Sequence, residues 1–597
     1  MAARIVLTAF LLVAAAAAGG EAAFTAPAVR TVTPTLPADK AGYFYAASAD
    51  PVASIADVAT FTRLDPINPG LLPRLVIDVP EEVELLAAIR KWDVKKQGLV
   101  DFNGRKRRRY RVVPREGASK HWLFWRTSLP AGTRFDVRFF GEWDANGDVP
   151  GGRQPDQTLE VEVVALPERP TFKRLKVWYT IPSDAAAAWD PAAYRRGGFN
   201  AVDLWGYLSP EERSWGEPLL RRTAAAYREA GVEVWGWPQD WWWRRAKQDA
   251  DGRSAGEGGA ASEDLHLLYR GRHFADWMDA GRALIDAGVT THTCDPEIYR
   301  DPAVGGTPDE EAAFARWRAA TGWPDEPDAR RLWAAARYTD FFAEYRAAME
   351  QHMRATGVPG PFRFVIYSTY HRHWDSFHGA EGVAAADPSV RTLEDPRDLR
   401  RAFDVMSPMT YPDIYGDGRH AAADRFDRVN RLGAWEDASS LRKPFNGPVM
   451  PLLSTGYPHG YYASDTTPAM IASQMVQCFA AGAAGIGFWG EGVHDARDME
   501  TTARVVAALV PFEETIENGK PFAEDAAGGV VVRGVTDGTR AVGFAMAPDG
   551  GPAEAVIERP CGGRVRDLLS GEVLAEAGAG PVRIELRGGE RLFTVSP

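Results

Sequence analysis

From about residue 171 onwards one pattern repeats along the chain. A short run rich in β-branched and aromatic residues is followed by a loop, then by a stretch with apolar residues three and four apart. The short runs fall at 175–179, 201–204, 233–237, 289–295, 363–367, 404–409, 449–453 and 484–489. Their length and composition predict strands. The periodic stretches at 217–230, 273–287, 308–320, 328–356 and 468–481 predict helices. Strands alternating with helices imply parallel pairing. Eight such units in about 340 residues predict a (β/α)₈ barrel with enlarged loops.

The flanks have a different rhythm. Before the barrel, short β-rich runs at 75–79, 110–113, 122–125, 135–140 and 159–164 are separated by turn residues. After it, similar runs occur at 529–532, 541–545, 565–572 and 582–586. Both flanks predict β-sandwich modules. At the N-terminus, Arg4 precedes an apolar run from Ile5 to Ala18, with small residues after it, the pattern of a secretory signal peptide. The run is too short to span a bilayer. The expected organisation is therefore a signal peptide at 1–23, a linker at 24–40, a β-module at 41–170, the barrel at 171–520 and a second β-module at 521–597. The mature protein is expected to be secreted or periplasmic, with no transmembrane segment.

A chain of 597 residues exceeds what a single core organises, in keeping with several domains. The net charge of −12 excludes nucleic acid and anionic membrane as expected partners, since both call for a basic surface. The basic run Arg105-Lys106-Arg107-Arg108-Arg109 reads as a solvated hairpin face. Only Cys294, Cys478 and Cys561 occur, which excludes a disulfide framework. A single bridge stays open, but Cys294 and Cys478, on predicted interior segments, read better as small buried hydrophobes.

In a barrel of this kind the chemistry sits at the C-terminal strand ends. The fourth predicted strand ends on Cys294-Asp295-Pro296-Glu297. Residues two apart on a strand face the same way, so Asp295 and Glu297 are expected to project into one site. Paired carboxylates there can break glycosidic bonds. A like charge and partial burial raise a carboxyl pKa, fitting one member to protonate a leaving oxygen. Glu297 is assigned as that acid and Asp295 as its partner. The other strand ends offer Trp178, Asp203, Trp205, Trp237, Asp240, Tyr370, His371, Trp374, Asp413, Trp489 and Glu491. Flat aromatic faces stack on sugar rings and carboxylates bond hydroxyls, so these are candidate substrate-binding residues for a poly- or oligosaccharide.

Three motifs resemble the chitinase-like (family 18) and endo-hexosaminidase group of secreted barrel glycosidases. Asp295-Pro296-Glu297 resembles the end of their fourth-strand signature. Met409-Thr410-Tyr411-Pro412-Asp413 is similar to their sixth-strand Met-x-Tyr-Asp. Ile486-Gly487-Phe488-Trp489 is similar to their eighth strand ending in Trp. The resemblance implies Glu297 as acid, Asp295 orienting a substrate acetamido group, Tyr411 supporting the intermediate and Trp489 flooring a subsite. The chain departs from that pattern at Thr290 and Thr293, where the family carries further Asp residues. It also has Trp235-Gly236-Trp237-Pro238 in place of the family's third-strand Ser-x-Gly-Gly. A direct two-carboxylate mechanism, with Asp203, Asp240, Asp413 or Glu491 as nucleophile or base, stays open. So does a carbohydrate-binding protein without turnover on the same scaffold.

Weaker signals change little. Asp144-Ala145-Asn146-Gly147-Asp148 has calcium-loop spacing but lacks the Gly and distal Glu of an EF-hand, and reads as an Asn-Gly turn. His371 and His373 alternate on a strand end without an evident third ligand. No metal and no cofactor are expected. A Walker-type phosphate loop is absent from the sequence.

Overall fold

The computed structural model describes residues 35–37, 42–45, 74–88, 93–113, 122–144, 152–153, 156–182, 186–187, 189–205, 213–238, 272–296, 308–322, 327–368, 394–410, 428–453, 468–489, 496–547, 554–578, 580–587 and 589–597. Eight parallel strands close into a barrel: β1 (Lys176–Pro182), β2 (Ala201–Trp205), β3 (Glu233–Trp237), β4 (Thr291–Cys294), β5 (Arg363–Ser368), β6 (Val405–Thr410), β7 (Leu452–Leu453) and β8 (Gly485–Phe488). β8 pairs back onto β1, completing the ring.

Alternation along each strand sorts side chains between two cores. Trp178, Ala201, Trp235, Val365, Tyr367, Val405, Met409 and Leu452 fill the barrel interior. Val177, Tyr179, Val202, Leu204, Val234, Ile486 and Phe488 face outward to the helices on one side. Cys294, Phe364, Ile366 and Met406 do so on the other. Gly487 is paired in register with Trp178 across β8 and β1. A Cβ built on it would overlap the Trp178 indole. Glycine is therefore what lets the large ring lie inside the barrel. Gly487→Ala is expected to cost about 1–3 kcal/mol by overpacking, read as a lowered thermal midpoint; an unchanged midpoint would refute this account of the close approach.

Arginines near helix ends close several βα units. Arg195 donates to Ala230 O at 2.8 Å, Arg228 to Ala287 O at 3.0 Å, and Arg442 to Ala481 O at 2.9 Å. Each carbonyl lies just past the end of a neighbouring helix, where backbone acceptors lack intrahelical partners and a cation is favoured. The entry to β1 is tied down by Glu513, whose Oε1 accepts from the backbone N–H groups of Lys173, Arg174 and Leu175.

The C-terminal module is a sandwich. A six-stranded antiparallel sheet packs against the Glu554–Ile557 and Val582–Glu585 pair over a core that includes Val532, Ala545, Ile557, Val565, Ile584 and Phe593. Its other face lies on the barrel's helices. The helix Pro468–Ala480, between barrel and sheet, is accordingly buried continuously from Ile471 to Ala480. The predicted strand 565–572 ends early, at Asp567. There the Asp567 carboxylate accepts from the N–H groups of Leu569 and Ser570 and turns the chain.

Among the described residues, the N-terminal module holds a seven-stranded and a three-stranded sheet. The linker expected over 24–40 contains a strand, Thr35–Pro37, which pairs in parallel with Gln157–Val164. The basic run lies on the predicted hairpin, whose turn Asn103-Gly104 has both φ values positive (53° and 71°), as the right-handed twist of the flanking strands demands. Its face is not simply solvated. Arg107 is buried, and Arg109 makes a two-pronged pair with Asp78 at 2.7 and 2.8 Å. Arg138 adds a third bond to the same carboxylate at 2.7 Å and lies over the Phe102 ring, 4.1 Å from its centroid. A fully buried carboxylate recruits the guanidinium groups that neutralise it.

None of the three cysteines is in a disulfide, and all are buried. Among the described residues no helix is long and apolar enough to cross a membrane. The expected signal peptide lies outside the described residues, as does most of the 144–148 loop. Asp144 itself pairs with Arg74.

Candidate active site

The C-terminal mouth of the barrel is built on Asp203, Thr293, Tyr367, Trp237 and Trp489. Asp203 sits on β2, in register with Thr180 on β1 and Trp235 on β3. It is fully buried. Its Oδ2 is hydrogen-bonded to the Tyr367 hydroxyl at 2.5 Å, and its Oδ1 accepts from Thr293 Oγ1 at 2.9 Å. Tyr367 in turn accepts from the Trp178 indole N–H at 3.2 Å and lies 3.4 Å from Thr180 Oγ1. Four strands thus contribute to one continuous polar network beneath the mouth. Burial pushes the Asp203 carboxyl up to about 7, against the pull of its bonds to Tyr367 and Thr293. Burial also pushes the Tyr367 phenol well up, and the neighbouring Asp203 adds to that.

Asp295 follows β4 by one residue and shares the inward parity of Thr291 and Thr293. It is 1% exposed. The strand-end placement expected for the first carboxylate of the Asp-Pro-Glu motif is therefore what the fold presents. Trp237, at the end of β3, packs edge-on against Tyr367 with centroids 6.1 Å apart, and its ring lies 6.2 Å from Trp489. Trp489, one residue past β8, is only partly buried. The two indoles and the Asp203 network share one end of the barrel.

Two expectations change. Trp178 was expected at the rim, but it is fully buried in the interior layer, against Trp235 at 4.8 Å. Its odd–even position on β1 places it below Thr180, too deep to stack on a sugar. Asp203, expected to bond substrate hydroxyls, has both oxygens engaged by protein. Trp205 ends β2 in register with Trp237. Glu297, Tyr411, Asp240, Tyr370, His371, His373, Trp374, Asp413 and Glu491 lie outside the described residues.

Tyr367, Thr293 and Thr180 were not singled out as site residues from the sequence. The signal was present as parity: Thr293 precedes Asp295 by two, and Tyr367 follows the inward Val365 by two. Thr293, where the resembled family carries an acid, supplies a hydroxyl to an acid on the neighbouring face instead. At the opposite end of the barrel Glu233 forms a second polar cluster, paired with Lys176 at 2.8 Å and accepting from Trp235 Nε1 at 2.8 Å. Among the described residues no three of His, Cys, Asp and Glu gather where they could hold a metal ion.

No family model matches the chain, and no curated protein matches it. Solved structures do. An alpha-amylase from Anoxybacillus aligns with a TM-score of 0.40 at 10% identity, over 72% of this chain and 99% of that one. A GH27 β-L-arabinopyranosidase from Geobacillus stearothermophilus aligns with a TM-score of 0.42 at 11% identity, over 72% and 97%. A maltogenic amylase from S. marinus aligns with a TM-score of 0.37 at 10% identity, over 88% and 80%. Likenesses at this level carry no argument about activity or residue roles. The barrel assignment rests on the strand pairing itself.

Proposed function

We propose that the protein is an exported glycoside hydrolase, cleaving O-glycosidic bonds of a poly- or oligosaccharide by carboxylate general acid/base catalysis. The observation that carries this reading is the convergence of two buried carboxylates, Asp203 and Asp295, with the indoles of Trp237 and Trp489 at the C-terminal end of a closed barrel. Carboxylates in a low-dielectric mouth change pKa and transfer protons, while indole faces bind the apolar faces of sugar rings. Glu297, two residues beyond Asp295, is the proposed proton donor to the leaving oxygen. Tyr411 and Asp413, just past β6, are proposed to support the intermediate and bind substrate. The Asp-Pro-Glu and Met-Thr-Tyr motifs favour chemistry of the chitinase-like kind, in which the acetamido oxygen of the substrate attacks and Asp295 orients it. The test is reducing-end release by the mature protein across a panel of glycans, with and without N-acetylhexosamine. Release confined to N-acetylhexosamine glycans supports the acetamido route. Release from other glycans supports a direct two-carboxylate route. No release from any would overturn the hydrolase reading.

A further inference from the structure

Asp203 is sealed from solvent at the mouth, and both its oxygens meet protein hydroxyls. It cannot touch a sugar from there, so any part it takes must pass through its partners. Those partners lead in two directions. Thr293 is two residues before Asp295 on the same strand, so the Asp203–Thr293 bond fixes the segment that carries the proposed working carboxylate. Tyr367 packs edge-on against Trp237, so the Asp203–Tyr367 bond fixes the ring behind an aromatic of the mouth.

We infer, resting on the hydrolase reading, that Asp203 is a positioning residue that stays protonated in the working state, donating to Tyr367 and accepting from Thr293. The hydrogen-bond count closes in that state. Protonated Asp203 donates through Oδ2 to the Tyr367 oxygen, which also accepts from the Trp178 indole N–H. The Tyr367 hydroxyl hydrogen then turns to Thr180 Oγ1, and Thr293 donates to the remaining Asp203 oxygen. Loss of the Asp203 proton reverses the Tyr367 hydroxyl toward Oδ2 and leaves a negative charge sealed from water. A charge buried there without a cation is costly, so the ionised form is the disfavoured one. Among the described residues, the groups facing Asp203 are Trp178 and Thr180 on β1, Trp235 on β3, Thr293 on β4 and Tyr367 on β5, with Asp295 beyond Thr293. Behind the strands, Tyr194 feels its charge. None of these is a cation that would hold Asp203 ionised.

The experiment compares wild type with Asp203→Asn, whose amide can donate to Tyr367 and accept from Thr293 without ionising. The substrate is the panel glycan that the wild type cleaves best. As pH rises through about 7 the wild type is expected to lose turnover relative to the variant, so that at about pH 8.5 the variant exceeds it by roughly fivefold or more. An infrared difference spectrum between the two proteins should show a protonated-carboxyl band in the wild type at about pH 5.5 that fades through about pH 7 and is missing from the variant. A variant-to-wild-type ratio that stays the same at every pH overturns the inference, as does absence of the band. Failure of the wild type to cleave any glycan instead overturns the hydrolase reading, while the infrared band still decides whether Asp203 holds its proton.

Discussion

Glu297→Gln is expected to lower turnover at least about a hundredfold while leaving glycan affinity within a few-fold of wild type. The substitution keeps size and hydrogen-bonding reach but removes the proton that the leaving oxygen needs. General-acid catalysis contributes roughly a hundred- to ten-thousandfold, so its loss should dominate the kinetics. The effect should fall on kcat, because sugar stacking on the partly exposed Trp489 does not involve the acid. Substrates with good leaving groups, such as nitrophenyl glycosides, need less protonation and should lose less. Asp295→Asn should behave differently. Its loss should persist with activated leaving groups, because the proposed role of Asp295 is at the anomeric side. Turnover of the Gln variant near the wild-type value would remove Glu297 from the mechanism while leaving the barrel mouth as the site. Equal losses on activated and unactivated substrates would assign Glu297 to something other than proton donation.

How much of this was legible in the sequence depends on what each level of the fold responds to. The barrel was legible because strand and helix periodicities are local. Glu233–Trp237 agrees with expectation to the residue, since a helix ends just before it and Pro238 follows. β7 shortened from five expected residues to Leu452–Leu453 because Pro451 lacks the N–H that a ladder needs; Val449 keeps a single bridge to Met406. The strand Thr35–Pro37 was read as linker because its pairing is with residues more than a hundred positions away. The site was legible as a list of strand ends, but depth was not. Trp178 and Trp237 look alike in sequence and both face into the barrel; register sets Trp178 level with Ala201 and Trp237 level with Trp205, so one lies in the packed interior and the other towards the mouth. The Asp203–Thr293–Tyr367 network joins residues 90 and 164 positions apart, and no local pattern encodes such a meeting.

The second large effect concerns stability. Asp203 in the folded protein holds its proton up to about pH 7, whereas an unfolded Asp releases it near pH 4. Between those values the folded chain binds the proton and the unfolded chain does not. Stability therefore falls as pH rises through this window, the direction given by linkage for a group whose folded pKa is raised. Below the unfolded value both states are protonated and there is no penalty. Above the folded value the full penalty applies, on the order of 4 kcal/mol for a shift of about three units, as an upper bound since relaxation around the charge reduces it. Asp203→Asn removes the ionisation, so the difference in unfolding free energy between variant and wild type should grow in the variant's favour from about pH 4 to about pH 8. Taking the difference cancels the other carboxylates, which titrate equally in both proteins. Urea unfolding of the barrel, followed by its buried tryptophans at several pH values, measures it. A difference that stays constant across the range would mean that Asp203 is ionised in the folded protein throughout. The polar network would then be a charged one, held by its two hydroxyl donors alone.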